Sequence, residues 1–334
     1  MYDVTVDPAD EYFHTPGPEP LWNESWYFDF FTEDGSLGGY VRLGRYPNSG
    51  VIWYWACIVG SGRPLVTVID NAVPIPTNPR SHELHGAMLW ADHNCETPLE
   101  HWSLGLETHA IALDDPADVY GKAYGDRTPL AFELDWHTDG LVFTYPSSVT
   151  PYEIPCRVSG TVDVGAEHFE FEGFGQRDHS WGIRDWWSMG WCWTAFRLDD
   201  GSRWHAVTPK PQSLAPVGYE QLPGQQTTGR SHLRYVTEFC VLETLGPSGI
   251  PRSAELVMVS SLDPDGGGAR SAAFQVEPIA WSPVLLTDPT GRRSRLPRGL
   301  CRFVGERGSG IGWIEFNQPE LVGQAESTAI GSVE

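Results

Sequence analysis

Short runs in which apolar and polar residues alternate, each closed by a glycine- or aspartate-bearing turn, recur along nearly the whole chain, while helical periodicity is scarce. Period-two alternation places every second side chain on one face and suits a half-buried strand, so the pattern restricts the chain to an all-β architecture. Strands are predicted over Ser25–Phe31, Gly39–Arg45, Val51–Ile58, Pro64–Ile69, Leu130–Trp136, Arg157–Val164 and His168–Phe174. Further strands are predicted over Gly190–Leu198, Ser202–Thr208, Leu233–Leu242, Glu255–Ser261, Ser271–Val276 and Ile311–Phe316. Turns such as Asp34-Gly35, Asp139-Gly140 and Asp200-Gly201 punctuate them. Fifteen Trp, fourteen Phe and twelve Tyr beside 36 Gly and 27 Pro carry the same signal, because aromatic rings favour strands and Gly and Pro favour turns. One short helix is predicted near Ala117–Tyr124.

At 334 residues the chain is long for a single core, so two domains are predicted. No Gly/Ser linker divides them, and the natural cut follows a Trp-rich turn. It gives domains over 1–186 and 187–322 and a small, polar tail over 323–334. The balance of 22 Lys+Arg against 44 Asp+Glu gives a net charge of −22, which repels phosphate backbones and anionic lipid. No run approaches the roughly 20 apolar residues of a membrane span. Met1 to Pro20 has neither a basic nor an apolar leader region, so a cytoplasmic location is expected.

The six cysteines are scattered, with no Cys-x-x-Cys pair, and are expected to be free thiols. No nucleophile elbow, Walker loop or dinucleotide fingerprint is present. His82, His85, His93 and Cys95 crowd one segment, but their spacing matches no known zinc arrangement, and neither a metal nor a cofactor is expected. The sequence leaves the oligomeric state open.

Residues 168–187 carry most of the chemical information. Phe169 and Phe171 share one strand face, and Phe174 breaks that parity, so a bulge is expected at Gly173 or Gly175. If the chain stays extended, Gln176, Asp178 and Ser180 face one way, and Arg177, His179 and Trp181 the other. An aspartate turned away from its arginine neighbour and towards aromatic surroundings has its pKa raised by desolvation and can donate a proton near neutrality. Asp178 is the candidate acid. Trp181, Trp186, Trp187, Trp191, Trp193 and Trp204 cluster just beyond it, and Trp187, Met189, Trp191 and Trp193 form a stripe at strand spacing. A structural reading stands beside this one: Arg177, Asp178, Arg184 and Asp185 as buried ion pairs closing a domain junction, with the indoles as core.

The string Gly175-Gln176-Arg177-Asp178-His179-Ser180-Trp181-Gly182 resembles the Asp-His-x-Trp-Gly signature of the carotenoid 1,2-hydratase and AttH-like superfamily. The longer string to Trp186, with Asn23-Glu24-Ser25-Trp26-Tyr27-Phe28 and Arg42-x-x-Arg45-x-Pro47-Asn48, is similar to an uncharacterised actinobacterial branch of that group. The resemblance implies two lipocalin-like (calycin) antiparallel β-barrels packed side by side. It also implies that Asp178 protonates an isoprenoid double bond while His179 orients or relays. The hydratases carry a tyrosine where this chain has Gln176.

Three functions follow as expectations. The first is an enzyme performing acid-initiated hydration, isomerisation or cyclisation of a hydrophobic isoprenoid or polyketide-like molecule. Its catalytic residues would be Asp178 and His179, with Phe174, Gln176, Trp181, Arg184, Asp185, Trp186, Trp191 and Trp193 contacting substrate. The second is a pericyclase that folds a polyene in the same pocket. The third is a lipocalin-like binder without turnover.

Overall fold

The computed structural model describes residues 6–145, 152–211, 214–223, 233–262 and 267–320, and the predicted tail 323–334 lies outside them. Within the described residues every long element is a strand. The N-terminal set comprises β1 (Trp22–Phe31), β2 (Gly38–Tyr46), β3 (Val51–Val59), β4 (Leu65–Pro74), β5 (Leu84–His85) and β6 (Leu89–Thr97). It continues with β7 (His101–Leu113), β8 (Asp126–Thr138), β9 (Phe143–Thr144), β10 (Tyr152–Val164) and β11 (Glu167–Ile183). The C-terminal set comprises β12 (Gly190–Leu198), β13 (Arg203–Lys210), β14 (Val217–Gln221), β15 (Leu233–Leu245) and β16 (Pro251–Ser261). It ends with β17 (Arg270–Trp281), β18 (Val284–Thr287), β19 (Arg293–Leu296), β20 (Arg298–Gly305) and β21 (Gly308–Pro319).

The all-β expectation holds, but a pair of lipocalin-like barrels does not describe the molecule. Among the described residues, only the C-terminal sheet is a closed barrel of eight strands, ordered β12-β13-β14-β15-β16-β17-β20-β21. Its closing ladder pairs β12 with β21 from Trp191↔Asn317 to Leu198↔Gly310. Its lumen is filled rather than hollow: Phe196 stacks on Phe303 at 4.1 Å and meets Phe274 edge-on at 5.0 Å, with Trp204 beside them. The N-terminal sheet has eleven strands, with β1 between β2 and β11. It is not a barrel of that kind, because β6 occupies the edge of β7 from His101 to Thr108. Only Ile111, Ala112 and Leu113 remain to meet β4.

Two smaller expectations are corrected as well. The helix near Ala117–Tyr124 is a single 3-10 turn over Pro116–Tyr120, started by the Asp115 side chain accepting from the Ala117 amide. No bulge interrupts β11: its register against β10 is unbroken from Tyr152↔His179 to Val164↔Glu167. Gly173 and Gly175 serve a different need, since a Cβ at either would collide with the carbonyl of Phe31 or of Asp29 on β1.

Besides the filled barrel lumen, two further layers of core result. Trp26, Phe28, Phe30, Trp102 and Trp136 fill the inner face of the N-terminal sheet. Its outer face packs against the outside of the barrel through Tyr27, Phe31, Tyr40 and Trp55 on one side and Trp193, Leu300 and Trp313 on the other. Each such ring contributes roughly 1.5–3 kcal/mol through burial. The Trp313 indole also donates to the Phe30 carbonyl at 3.3 Å, so the two sheets are tied through backbone as well as packing.

Candidate functional site

Strand β11 separates two polar systems. Its Cα partners place Asp178 between Tyr27 on β1 and Glu153 on β10, and His179 between Trp26 and Tyr152. Because successive side chains alternate, Phe174, Gln176 and Asp178 face the C-terminal barrel, while Arg177, His179 and Trp181 face the inside of the N-terminal sheet.

On the barrel side, three carboxyl groups gather in a setting of aromatic rings. Asp178 is half-buried and accepts no hydrogen bond from a described residue. Burial raises its pKa to about 6 against the pull of Arg184, Arg42 and Arg298. Glu153 is buried; its Oε1 accepts from the Trp193 indole at 3.0 Å and its Oε2 from the Gln176 amide at 2.9 Å. Burial and the Asp178 charge hold its pKa well above the usual carboxylate range. Asp29, fully buried, accepts from the Gln176 backbone at 2.8 Å and the Tyr27 hydroxyl at 3.2 Å, yet burial pushes it up to about 8. His205, whose pKa burial lowers to about 3, stays neutral. Its Nδ1–H donates to the Thr194 carbonyl at 3.1 Å, so Nε2 accepts from the Tyr145 hydroxyl at 2.8 Å. The arrangement can hold protons on carboxyl groups at neutral pH.

The predicted contact residues divide by face. Phe174 and Gln176 line a small cleft between the sheets, together with Phe31, Pro155, Arg197 and Arg203. Trp193 and Trp191 anchor to Glu153 and Glu315 through their indole N–H groups, at 3.0 and 2.8 Å. Trp186 is buried and donates to the Tyr46 hydroxyl at 2.9 Å; Arg184 lies over its ring at 5.3 Å. Asp185 caps the Trp187 amide at 3.0 Å and pairs with Arg292 at 3.4 Å, a structural arrangement in the connection between β11 and β12. Trp181 lies on the opposite face, stacked on His14 at 3.7 Å.

His179 likewise lies on the opposite face, and no contact joins its ring to the Asp178 carboxyl. Its Nδ1–H donates to the Asp10 carbonyl at 2.6 Å, and its Nε2 meets Glu24 at 3.2 Å. Arg177 pairs with Glu11 at 2.8 Å, both fully buried. Of the crowded histidines, His82 and His93 turn inward and His85 is exposed, so they do not converge with Cys95. Sequence reasoning missed Glu153 and Asp29. Both stand in ordinary alternating strands, and only the register that brings β10 and β1 beside β11 marks them.

The sequence matches the family described as Domain of unknown function (DUF7064) over residues 7–320. The chain belongs to this family. No curated protein matches the sequence. Among solved structures, a Nitrosomonas europaea protein assigned to AttH is 13% identical, covers 95% of this chain and 98% of its own, and has a TM-score of 0.62. CghA is 12% identical, with 90% of this chain and 89% of its own covered and a TM-score of 0.55. Kievitone hydratase from Nectria haematococca is 10% identical, with 95% and 94% covered and a TM-score of 0.53. At these identities the likeness is one of fold: this DUF7064 chain shares the overall fold of these structures. No helix among its described residues is long and apolar enough to cross a membrane.

Proposed function

We propose that this chain is an enzyme acting on a hydrophobic, isoprenoid or polyketide-like molecule, with Asp178 delivering a proton to a carbon–carbon double bond. The observation that carries the reading is the Asp178 carboxyl: half-buried, accepting no hydrogen bond from a described residue, and raised to about 6. Such a group is poised to give up a proton near neutrality. Glu153 is its cross-strand partner and a second buried acid that can return the proton. The Asp-His-x-Trp-Gly resemblance to the hydratases supports the same assignment.

In the first step the Asp178 O–H bond breaks, a C–H bond forms at one alkene carbon, and the positive charge stays on the other. The Tyr27 and Trp193 rings meet edge to face with their centroids 5.5 Å apart, and an aromatic wall of this kind suits a cation better than a hard nucleophile would. Water capture gives hydration, loss of a neighbouring proton gives isomerisation, and attack by a second alkene gives cyclisation. Each ends by losing a proton to the Asp178 carboxylate, from the captured water, from a neighbouring carbon, or from the cation that ring closure leaves, so no external oxidant is needed. His179 stands across the strand and takes no part in this step.

The test is incubation with a terpenoid and polyene panel in deuterated water. Product carrying deuterium at carbon is expected from the wild type and should be absent from Asp178→Asn. Turnover that survives in Asp178→Asn would favour a pericyclase. An unchanged bound ligand, with no product from any panel member, would favour a binder.

A further inference from the structure

We propose that His14, Glu24 and His179 form a binding site for a divalent first-row transition cation of the zinc type, on the face of β11 opposite Asp178. The three residues come from different places in the chain. His14 follows the 3-10 turn Pro8–Glu11 that reaches into the N-terminal sheet, Glu24 stands on β1 and His179 on β11. One potential ligand atom from each lies within 4.8 Å of the others.

Glu24 Oε1 accepts from the His14 amide at 2.9 Å and faces His14 Nδ1 at 2.8 Å and His179 Nε2 at 3.2 Å. The outer ring nitrogens also face acceptors: His14 Nε2 meets Asp10 Oδ1 at 3.4 Å, and His179 Nδ1 meets the Asp10 carbonyl at 2.6 Å. The four ring nitrogens thus face three acceptor oxygens, Glu24 Oε1 twice, and a neutral imidazole carries a single N–H, so two neutral rings cannot donate at all four contacts. One divalent cation in place of the two inner protons satisfies the same geometry. The outer N–H groups then hold each ring in the tautomer a metal requires, as carboxylates and carbonyls do behind metal-bound histidines.

A second observation points to the same occupant. Glu24 is 1% exposed, and its Oε2 has no hydrogen-bond partner among the described residues. A buried carboxylate oxygen with nothing to accept is costly unless something else binds it. Arg45, the neighbouring guanidinium, lies over the Phe13 ring at 4.5 Å and makes no ion pair with Glu24. The rings themselves are held in place: His14 stacks on Trp181 at 3.7 Å, and His179 on Trp26 at 4.3 Å. The side chain of His14 is 23% exposed, which leaves a route from solvent. Two imidazoles and one carboxylate form the donor set that zinc and its neighbours accept while keeping a position open.

This site does not depend on the alkene chemistry proposed for Asp178, and either can fail alone. The experiment uses the untagged full chain, stripped with a chelator and titrated calorimetrically with zinc chloride, then with cobalt(II) for its ligand-field absorption. One equivalent per chain is expected. His14→Ala should weaken binding by at least about 100-fold and Asp10→Asn by about 10-fold, the range expected when a supporting hydrogen bond is lost. X-ray absorption of the zinc-loaded protein should show two imidazoles in the wild type.

The surface trio His101, Asp135 and His137 provides the control. His101→Ala should leave affinity unchanged. Because His14 stands on the N-terminal segment and is partly exposed, His14→Ala is expected to fold, and far-ultraviolet circular dichroism checks it. Absence of zinc binding, binding unaltered in both His14→Ala and Glu24→Gln, or loss of binding in His101→Ala would each overturn the proposal.

Discussion

Asp178 and His179 are consecutive in sequence, yet the carboxyl of the first faces the C-terminal barrel across from Glu153, while the imidazole of the second faces Glu24 inside the N-terminal sheet. The pair is divided by the thickness of one strand. Two polar systems that a linear motif writes as one are therefore chemically separate.

The separation makes Asp178→Asn a clean variant. Its folded-state pKa is raised from the ordinary 3.8 to about 6, so ionisation costs the fold at higher pH. Asp178→Asn should be no less stable than the wild type at pH 8 in a urea titration. If Asp178 is the proton donor, turnover should fall by about 10²- to 10⁴-fold.

Asp29 governs a wider pH window. Its pKa rises from 3.8 to about 8, so the folded state holds the proton that the unfolded chain releases. Its contribution is most favourable below 3.8 and is lost as pH rises towards about 8, with a slope of up to about 1.4 kcal/mol per pH unit. Asp29→Asn keeps an oxygen for the Gln176 amide and removes the charge. Urea midpoints between pH 5 and pH 8 should therefore fall less steeply in Asp29→Asn than in the wild type; equal slopes would show that Asp29 does not titrate there.

Glu11 and Arg177 form a fully buried ion pair, and Glu11 also accepts from the Trp102 indole and the Leu99 amide. Arg177→Met leaves that carboxylate uncompensated and should cost about 3–5 kcal/mol. The double variant Glu11→Leu/Arg177→Met should lose less than the sum of the single losses. A double-mutant cycle from chemical unfolding measures the difference.

Gly175 tests the close approach of β1 and β11. The neighbour that a Cβ would strike is the Asp29 carbonyl, a backbone oxygen that accepts from the buried Trp136 indole at 2.8 Å. Gly175→Ala should destabilise the protein by about 1–3 kcal/mol, as inserted bulk does in packed interiors. An unchanged melting temperature would show that the strands part without cost.

Much of the strand pattern was legible because alternation is a local property. Gly190–Leu198 was predicted with the bounds it has, and β1, β2 and β3 within a few residues. Strand β7 was missed although His101–Leu113 alternates in its burial, because Gly105 and a run of small and polar residues blur its periodicity. The parity of residues 176–181 was also legible, since it needs only an extended chain.

What the sequence by itself determined is the class of structure, the faces of β11 and the position of an aspartate turned away from its arginine neighbour. Only the tertiary structure decided which sheet closes, because closure depends on whether β6 or β4 takes the edge of β7, a competition between segments far apart in the chain. It also decided the company each side chain keeps. Glu153 comes beside Asp178, and His14 and Glu24 beside His179, through strand register and the path of the N-terminal segment. No local pattern encodes those distances, since pairing and burial are properties of segments brought together by the whole fold.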